Sequence, residues 1–246
     1  DMHIAIVGGK RVRIRLADDL REERSHSVSL SADLYHTFGK VQTNLLVEGF
    51  YTILDDVFAL RDMDDAADGG KVKERYNGSG ATVRGFNVEG RAAFTRWFEL
   101  QAGVTLQQSR YKEPEFWSED AEVPPVRRMF RTPDAYGYFT ASFKPVRNFT
   151  ADLSGTCTGS MLVQHMAGSG VAQDVAVSTP SFFDMNIRLS YDVRIYKEIT
   201  MQLYGGVQNL FNAYQKDFDK GVDRDSGYIY GPSLPRSWFV GAKFSF

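Results

Sequence analysis

Aromatic and cationic side chains are mixed in residues 111–134, which read YKEPEFWSEDAEVPPVRRMFRTPD. The candidates in this stretch are Phe116, Trp117, Phe130, Arg127, Arg128 and Arg131. Because aromatic faces stack on planar groups and guanidinium groups bond anions, the stretch could grip a planar or anionic ligand. The alternative is an ordinary surface loop, stiffened by Pro124 and Pro125, whose rings pack on their neighbours. We favour that alternative and keep the residues as candidates.

Three tyrosines, Tyr214, Tyr228 and Tyr230, lie in a second polar stretch, residues 212–235. A phenol can stack on a metal chelate or ligate its metal. Tyrosines can equally form the aromatic girdle that anchors a membrane barrel at the boundary of lipid and water. For Tyr228 and Tyr230 the two interpretations stand level, and both residues are substrate-binding candidates.

The four histidines are scattered singly. His165 has Met161 and Met166 nearby, and imidazole and thioether groups are axial ligands of haem iron. Because single histidines in solvated loops are common, His3 and His165 are weak haem-ligand candidates. We predict no resident cofactor.

Residues 61–80 are acidic and contain Asp62, Asp64, Asp65 and Asp68. Their spacing only loosely suggests a calcium loop, so a solvated, flexible loop is the favoured interpretation. The sequence contains no nucleophile elbow, no His-Glu-x-x-His pair and no phosphate loop. We therefore predict that the protein is not an enzyme.

The composition bounds the class of protein. The chain has 246 residues, of which 43% are hydrophobic and 24% charged, and its formal net charge is −2. These values are typical of a folded protein. The absence of an excess of Lys and Arg argues against nucleic acid as a partner. No apolar run approaches the roughly 18 residues of a membrane helix. Cys157 is the only cysteine, so an intrachain disulfide is excluded.

The elements that position the candidates are strands. From Phe183 to Ile195 every odd position is apolar and every even position is polar. This two-residue period is typical of a strand with one apolar face, and the run is long for a soluble strand of about 5–6 residues. The same period recurs in 25–38, 41–52, 86–95, 98–107, 136–144, 149–158, 199–208 and 238–246. We predict about nine strands and no amphipathic helix.

The connections between these strands alternate in length. Tight turns are predicted near Gly39, Arg96, 145–148 and 196–198, whereas the connections 61–80, 111–134, 162–182 and 212–235 have about twenty residues each. Short turns at one end and long loops at the other are expected of an outer-membrane barrel.

A soluble β-sandwich also has alternating strands, so it is the alternative fold. Its strands should be short, and its long loops should not sort to one end. A lipid-facing strand must exclude charge, because Lys or Arg at the midplane costs roughly 2–4 kcal/mol. Arg91, Arg188 and Lys243 all fall on the polar register. We therefore favour a transmembrane antiparallel barrel.

Nine strands do not close a single-chain bacterial barrel, in which the number is even. Residues 1–24 have the appearance of the remainder of a long loop that leads into the strand at Ser25. We therefore expect 1–246 to be the C-terminal portion of one barrel domain, with the remaining strands supplied from elsewhere.

The segment 205–246 resembles the C-terminal end of TonB-dependent outer-membrane receptors. It contains the element Asn209-Leu210-Phe211-Asn212, a Gly231-Pro232 pair with Arg236 before the last strand, and a terminal Phe. Residues 16–35 and 47–60 similarly resemble stretches around earlier barrel strands of that family. The resemblance implies about nine of 22 strands, with an absent plug domain that contacts the TonB complex.

The resemblance also implies a function. Receptors of this family import scarce nutrients such as ferric siderophores, haem or cobalamin across the outer membrane of Gram-negative bacteria, and capture them with extracellular loops. Haem receptors carry a loop histidine at a place similar to that of His3. The implied partners are a metal chelate or corrinoid, outer-membrane lipid, the barrel-assembly machinery and, as a candidate, a surface lipoprotein. The alternative function is a passive porin-like channel, or another outer-membrane barrel without energised transport, for example one for secretion or anchoring.

The end of the chain resembles the signal read by the barrel-assembly machinery. Its apolar register contains Trp238, Val240, Phe244 and Phe246. We expect lipid to bury the terminal ring.

Overall fold

The computed structural model describes residues 3–7, 10–63, 71–118, 120–196 and 199–245. Within these ranges the chain forms strands, turns and irregular connections, without a helix. Accordingly, no described segment is a helix with the length and apolar character needed to cross a membrane. The strands are β1 (His3–Val7), β2 (Lys10–Leu16), β3 (Arg24–Phe38), β4 (Val41–Asp55), β5 (Phe58–Met63), β6 (Lys71–Asn77), β7 (Ala81–Thr95), β8 (Phe98–Glu115), β9 (Val126–Arg128), β10 (Ala135–Phe143), β11 (Phe149–Thr158), β12 (Leu162–His165), β13 (Val175–Ser178), β14 (Phe182–Tyr196), β15 (Ile199–Gln208) and β16 (Ser237–Ser245).

Nine of these strands form one antiparallel path, in the order β16-β15-β14-β11-β10-β8-β7-β4-β3. β9 pairs with β8 outside the path. All nine predicted strands are confirmed, and each pairs with the predicted strand that follows it along the chain. This up-and-down antiparallel arrangement confirms the predicted all-β barrel wall.

The register aligns the apolar positions of neighbouring strands on one face. Val47 pairs with Val88, and Val88 pairs with Val104. On the opposite face, Arg91 pairs with Gln101. Since a slip of one residue would exchange the two faces of a strand, the alternation in the sequence specifies this register.

The apolar face of the nine-stranded sheet is exposed. Leu30, Trp238 and Val240 have relative exposures of 83%, 76% and 90%. A β-sandwich would bury such side chains under a second sheet about 10 Å away. The exposed apolar face therefore disfavours the soluble alternative and fits a wall that faces lipid.

Hydrogen bonds connect side chains across the polar face. Gln101 donates to Glu89 at 2.9 Å, and Gln202 bridges two neighbours, accepting from Arg188 at 3.2 Å and donating to Asp192 at 2.9 Å. Such bonds satisfy polar groups that an apolar environment would penalise. In a closed barrel this face would line the lumen.

The connections sort by length as predicted. Two-residue turns join β3 to β4 and β7 to β8, and a short turn joins β10 to β11. Gly39 and Asn148, in two of these turns, adopt the positive φ values of 63° and 72° that tight turns require. The turn residues 197–198 lie outside the described part. The four long connections leave the opposite end of the sheet, which we call the loop end.

The long connections contain more regular structure than the sequence predicted. A second sheet, in the order β1-β2-β6-β5, combines residues before β3 with the connection between β4 and β7. The expectation of loop throughout 1–24 and 61–80 is therefore wrong for the strands of this sheet. The reason is that these strands depend on distant partners. β2 pairs in parallel with β6, and the sequence of neither segment indicates the other. A third, two-stranded sheet pairs β12 with β13.

Candidate functional site

A small buried cluster lies at the loop end, in the connections β11–β14 and β15–β16. Val163, Tyr228 and Tyr230 have relative exposures of 0%, 3% and 7%, and Met161 and Phe182 pack against them. Many apolar side chains of the main sheet are exposed, whereas those of this cluster are buried. The cluster is therefore the hydrophobic core of the loop region. We call it the loop core.

Polar bonds hold the loop core at its edge. His165, the last residue of β12, stacks on Tyr228 with ring centroids 3.7 Å apart and 4° between the planes. Its Nε2 lies 3.0 Å from Oδ1 of Asp219. The hydroxyls of Tyr228 and Tyr230 both donate to Asp217, the former at 2.7 Å. Aromatic stacking and bonds to carboxylates thus join two connections that are remote in sequence.

Burial sets the protonation of these tyrosines. Burial, together with the hydrogen bond to Asp217, raises the pKa of Tyr230 to about 12 and raises the pKa of Tyr228 further. Burial by itself would raise the pKa of the Asp217 carboxyl, but its hydrogen bonds together, those from Tyr228 and Tyr230 foremost, outweigh burial and leave that pKa lowered. Both phenols are therefore neutral donors to a carboxylate at neutral pH.

Gln215 replaces backbone pairing inside the loop core. Its side chain is 1% exposed, donates from Nε2 to the carbonyl of Tyr228 at 3.1 Å and accepts from the amide of Tyr230 at 3.0 Å. Two buried backbone groups are thereby satisfied in a segment without a strand partner. Sequence reasoning missed Gln215, which carries no periodic signal.

The two asparagines of the Asn209–Asn212 element fasten the base of the last long loop. Asn209 is 2% exposed and donates from Nδ2 to the carbonyls of Ala213 and Leu234 at 2.8 and 2.9 Å. Asn212 accepts from the amide of Arg236 at 3.0 Å. Both residues have positive φ, 49° and 52°, which asparagine tolerates better than most side chains. The element thus closes the loop just above β15 and β16.

The arginine candidates do not converge on one point. Arg127 donates to the carbonyl of Lys112 at 2.8 Å. Arg128 donates to the carbonyl of Ser160 at 2.7 Å and lies 3.1 Å from Asp134. These contacts connect segments of the loop region to one another.

Arg131 alone of the three reaches the loop core. It donates to the carbonyl of Ile229 at 2.9 Å and also to that of Gly227. The structure therefore brings Arg131, Tyr228, Tyr230 and His165 into one region.

The aromatic candidates of the same stretch separate. The rings of Trp117 and Phe130 meet edge to face, 5.4 Å apart, and the indole Nε1 is buried without a partner among the described residues. Phe116 is 75% exposed. Phe116 is thus free to contact a ligand in solution, whereas Trp117 is packed inside the loop region.

The haem-ligand candidates occupy different positions. His165 is buried, with its ring covered by Tyr228 and Nε2 directed to Asp219. His3 begins β1, and its side chain lies outside the described part. The described residues contain no group of three or more His, Cys, Asp or Glu side chains placed to hold a metal. The role of both histidines stays a prediction.

A cavity of about 210 Å³, lined by both polar and apolar side chains, lies between the loop core and the top of the polar face. Its lining includes Thr156 and Thr158 at the end of β11, Asp184 in β14, Phe182 from the loop core and Gly231 from the last long connection. One carboxylate oxygen of Asp184 is buried without a hydrogen-bond partner among the described residues. Local sequence does not indicate this cavity, since its lining residues come from three separate segments, 156–161, 179–184 and 231–232.

The family of the chain follows from residues 6–210, which match the model described as TonB dependent receptor-like, beta-barrel. The chain belongs to this family. The match covers all the strands of the main path except β16. No curated protein matches the chain.

Solved structures of import receptors and a transporter share the fold. The ferric-catecholate import receptor Fiu from K12 E. coli is 18% identical, with a TM-score of 0.59, and the match covers 92% of this chain and 28% of Fiu. The ferric enterobactin receptor PfeA from Pseudomonas aeruginosa, as a point mutant, is 16% identical, with a TM-score of 0.61 and coverages of 98% and 34%.

The copper transporter OprC is 13% identical, with a TM-score of 0.62 and coverages of 93% and 32%. This chain thus spans about a third of the length of the three neighbours. At these identities the likeness establishes the fold, which confirms the predicted partial TonB-dependent receptor barrel.

Proposed function

We propose that the protein is the barrel wall of a TonB-dependent transporter that imports a metal chelate across the outer membrane of a Gram-negative bacterium. The observation that carries the proposal is the nine-stranded sheet of this family, with one apolar and one polar face and long connections at one end. The apolar face would contact lipid, and the polar face would contact the plug domain and the translocating substrate.

A ferric siderophore is the substrate class we favour. Two of the neighbours bear the names of ferric-catecholate and ferric enterobactin receptors, and a third is named a copper transporter. All three names concern metals, which supports a metal chelate as cargo. Haem and cobalamin remain the alternatives that the sequence resemblance implies.

Capture would occur at the loop end. The loop core shows that the loops at this end are folded against one another. The exposed Phe116 and the cavity at Asp184 are the candidate contact points for the substrate in this folded region. No covalent chemistry on the substrate is involved in the proposal, so the protein would act as a transporter and not as an enzyme. Opening of the path would require the TonB complex, acting through a plug domain.

The test is nutrient uptake by cells that produce the protein from its native gene. A deletion strain should lose uptake of at least one of an iron-55-labelled siderophore, haem or cobalamin, each offered as the limiting source. Loss of TonB should abolish the same uptake. Uptake that is indifferent to TonB would favour a passive channel, and unchanged uptake of every compound would contradict the proposal.

A further inference from the structure

The carboxylate of Asp184 lies where three parts of the protein meet. It stands on the polar face of β14 and pairs across the sheet with Thr156 of β11. Above it lie Phe182 and Gly231, which belong to the loop core and the last long connection. Gly231 has a φ of 82°, and a Cβ there would lie 2.8 Å from the Phe182 ring, so the backbone passes close against this ring.

The unpaired carboxylate oxygen needs a donor. Buried polar atoms are nearly always hydrogen-bonded, and one that lacks a partner costs about 1–3 kcal/mol, or more when it is charged. Oδ1 of Asp184 has no such partner among the described residues. Three acidic side chains of the last long connection, Asp217, Asp219 and Asp225, each accept at least one hydrogen bond. Asp184 thus differs from its neighbours.

The surrounding groups do not satisfy the missing bond. Thr179 is 3% exposed, and its hydroxyl already accepts from the amide of Met161 at 3.1 Å. Asn186, next on the same face, accepts from the amide of Asn209 at 2.9 Å. Arg188, the nearest cation along β14, donates to Gln202 and stacks over Tyr204 at 4.7 Å. None of these groups donates to Oδ1 of Asp184 in the described part of the chain.

We infer that the cavity at Asp184 binds a protonated amine, or a similar cationic N–H group, on the transported chelate. An ionised carboxylate accepts hydrogen bonds and cannot donate them, so its partner must be a donor, and a cation also compensates the buried charge. The hydroxyls of Thr156 and Thr158 can accept further N–H bonds from the same group. A volume of about 210 Å³ admits one such arm and not a whole chelate.

The inference names a substrate feature for the proposed function and therefore rests on it. It also predicts discrimination, because the same carboxylate repels an anionic arm. Two forms of one chelate provide the test: a ferric trihydroxamate that ends in a primary amine, and the same compound with that amine acetylated. The two differ in one charge and keep the same metal centre.

Binding is measured first, on the complete protein from its native gene, purified in detergent, by quenching of tryptophan fluorescence. The wild type should bind the amine form about tenfold or more tightly than the acetylated form, as a charge-assisted bond to a half-buried carboxylate with one buried oxygen would give. Asp184→Asn, which keeps the shape, should reduce that ratio to within about twofold. Asp152→Asn removes a carboxylate from the same face of the neighbouring β11 and should preserve the ratio.

The outcomes separate the inference from the proposed function. Equal binding of both forms by the wild type, no binding of either form, or an unchanged ratio in Asp184→Asn would each overturn the inference. Uptake of the amine form is then measured in cells with and without TonB. Selective binding without uptake of any chelate would leave the amine site standing and overturn the transport proposal. Uptake of chelates without selectivity at Asp184 would do the reverse.

Discussion

His165 and Tyr228, which lie more than sixty residues apart in sequence, stack face to face with ring centroids 3.7 Å apart. The stack covers the imidazole on one side, while Asp219 holds Nε2 from the edge. Stacked aromatic pairs contribute about 0.5–1.5 kcal/mol beyond their buried area. The pair therefore fastens β12 and its connection to the last long loop.

His165→Ala is expected to loosen this fastening without unfolding the wall. It removes the stack and the bond to Asp219, which together are worth about 1–3 kcal/mol. Limited proteolysis should cut the connections around β12 and Asp219 roughly tenfold faster or more, while the folded form on unheated gels persists. His36→Ala, at the turn end of β3, is the control and should leave cleavage of these loops unchanged.

Acid should loosen the same region. The backbone amide of Asp225 and the His165 ring lower the pKa of the Asp219 carboxyl, and burial and the nearby Asp217 only partly oppose them. A lowered folded-state pKa contributes stability above the unfolded value of about 3.9, and that stability is lost as the pH falls through the folded-state pKa.

Loop protection against an acid-active protease should therefore decline below about pH 4. Asp219→Asn should be looser at neutral pH and should show a flatter decline. A decline of the same steepness in Asp219→Asn would assign the acid effect to other groups, such as Asp217.

A cation on the apolar face should block assembly. Val104 lies on that face, paired with Val88 and Gly137, and Val104→Arg should cost roughly 2–4 kcal/mol in lipid. The folded fraction on unheated gels and the urea concentration of half-unfolding should both drop. Thr105→Arg, one residue away on the polar face, is the matched control. Equal damage from both substitutions would contradict the assignment of faces.

Deletion of Phe246 should impair membrane insertion more than substrate binding. Phe246 lies outside the described residues, but Phe244 shares its register and pairs with Met201 on the apolar face. The amount of receptor in outer membranes should decrease severalfold, while the molecules that assemble bind substrate normally. Lys243→Ala, on the polar register, should have little effect on insertion. A normal amount of receptor in outer membranes after the deletion would contradict the role of the terminal residue in the assembly signal.

The wall of the fold could be predicted because its rule is local. The alternation from Phe183 to Ile195 shows which side chains share a face. The register of β14 with β11 and β15 keeps those side chains on the same face of the sheet. The predicted ends were less accurate. β8 extends to Glu115 and β7 begins at Ala81, because above the apolar region the strands continue with mixed polarity. The alternation that marks a strand is weak there.

The loop region could not be predicted in the same way. From the sequence, Tyr228 and Tyr230 are candidates for ligand contacts or for an interfacial girdle. In the structure they are buried in the loop core, and their hydroxyls donate hydrogen bonds to Asp217. Their burial depends on Val163, which lies more than sixty residues earlier. Local sequence carries no trace of such a contact. The cavity at Asp184 likewise depends on residues from separate segments of the chain.

The parallel pairing of β2 with β6 implies an order of events in folding. Both partners flank the β3–β4 hairpin, so the chain between them must fold back before they can meet. Loop closure becomes about 0.6 kcal/mol more costly with each doubling of the loop, and parallel strands need a long crossover. Hairpins of the wall close over two residues and can form early. We therefore expect the β1-β2-β6-β5 sheet to form late in folding. A molecule in which this sheet is complete should already contain the β3–β4 hairpin of the wall.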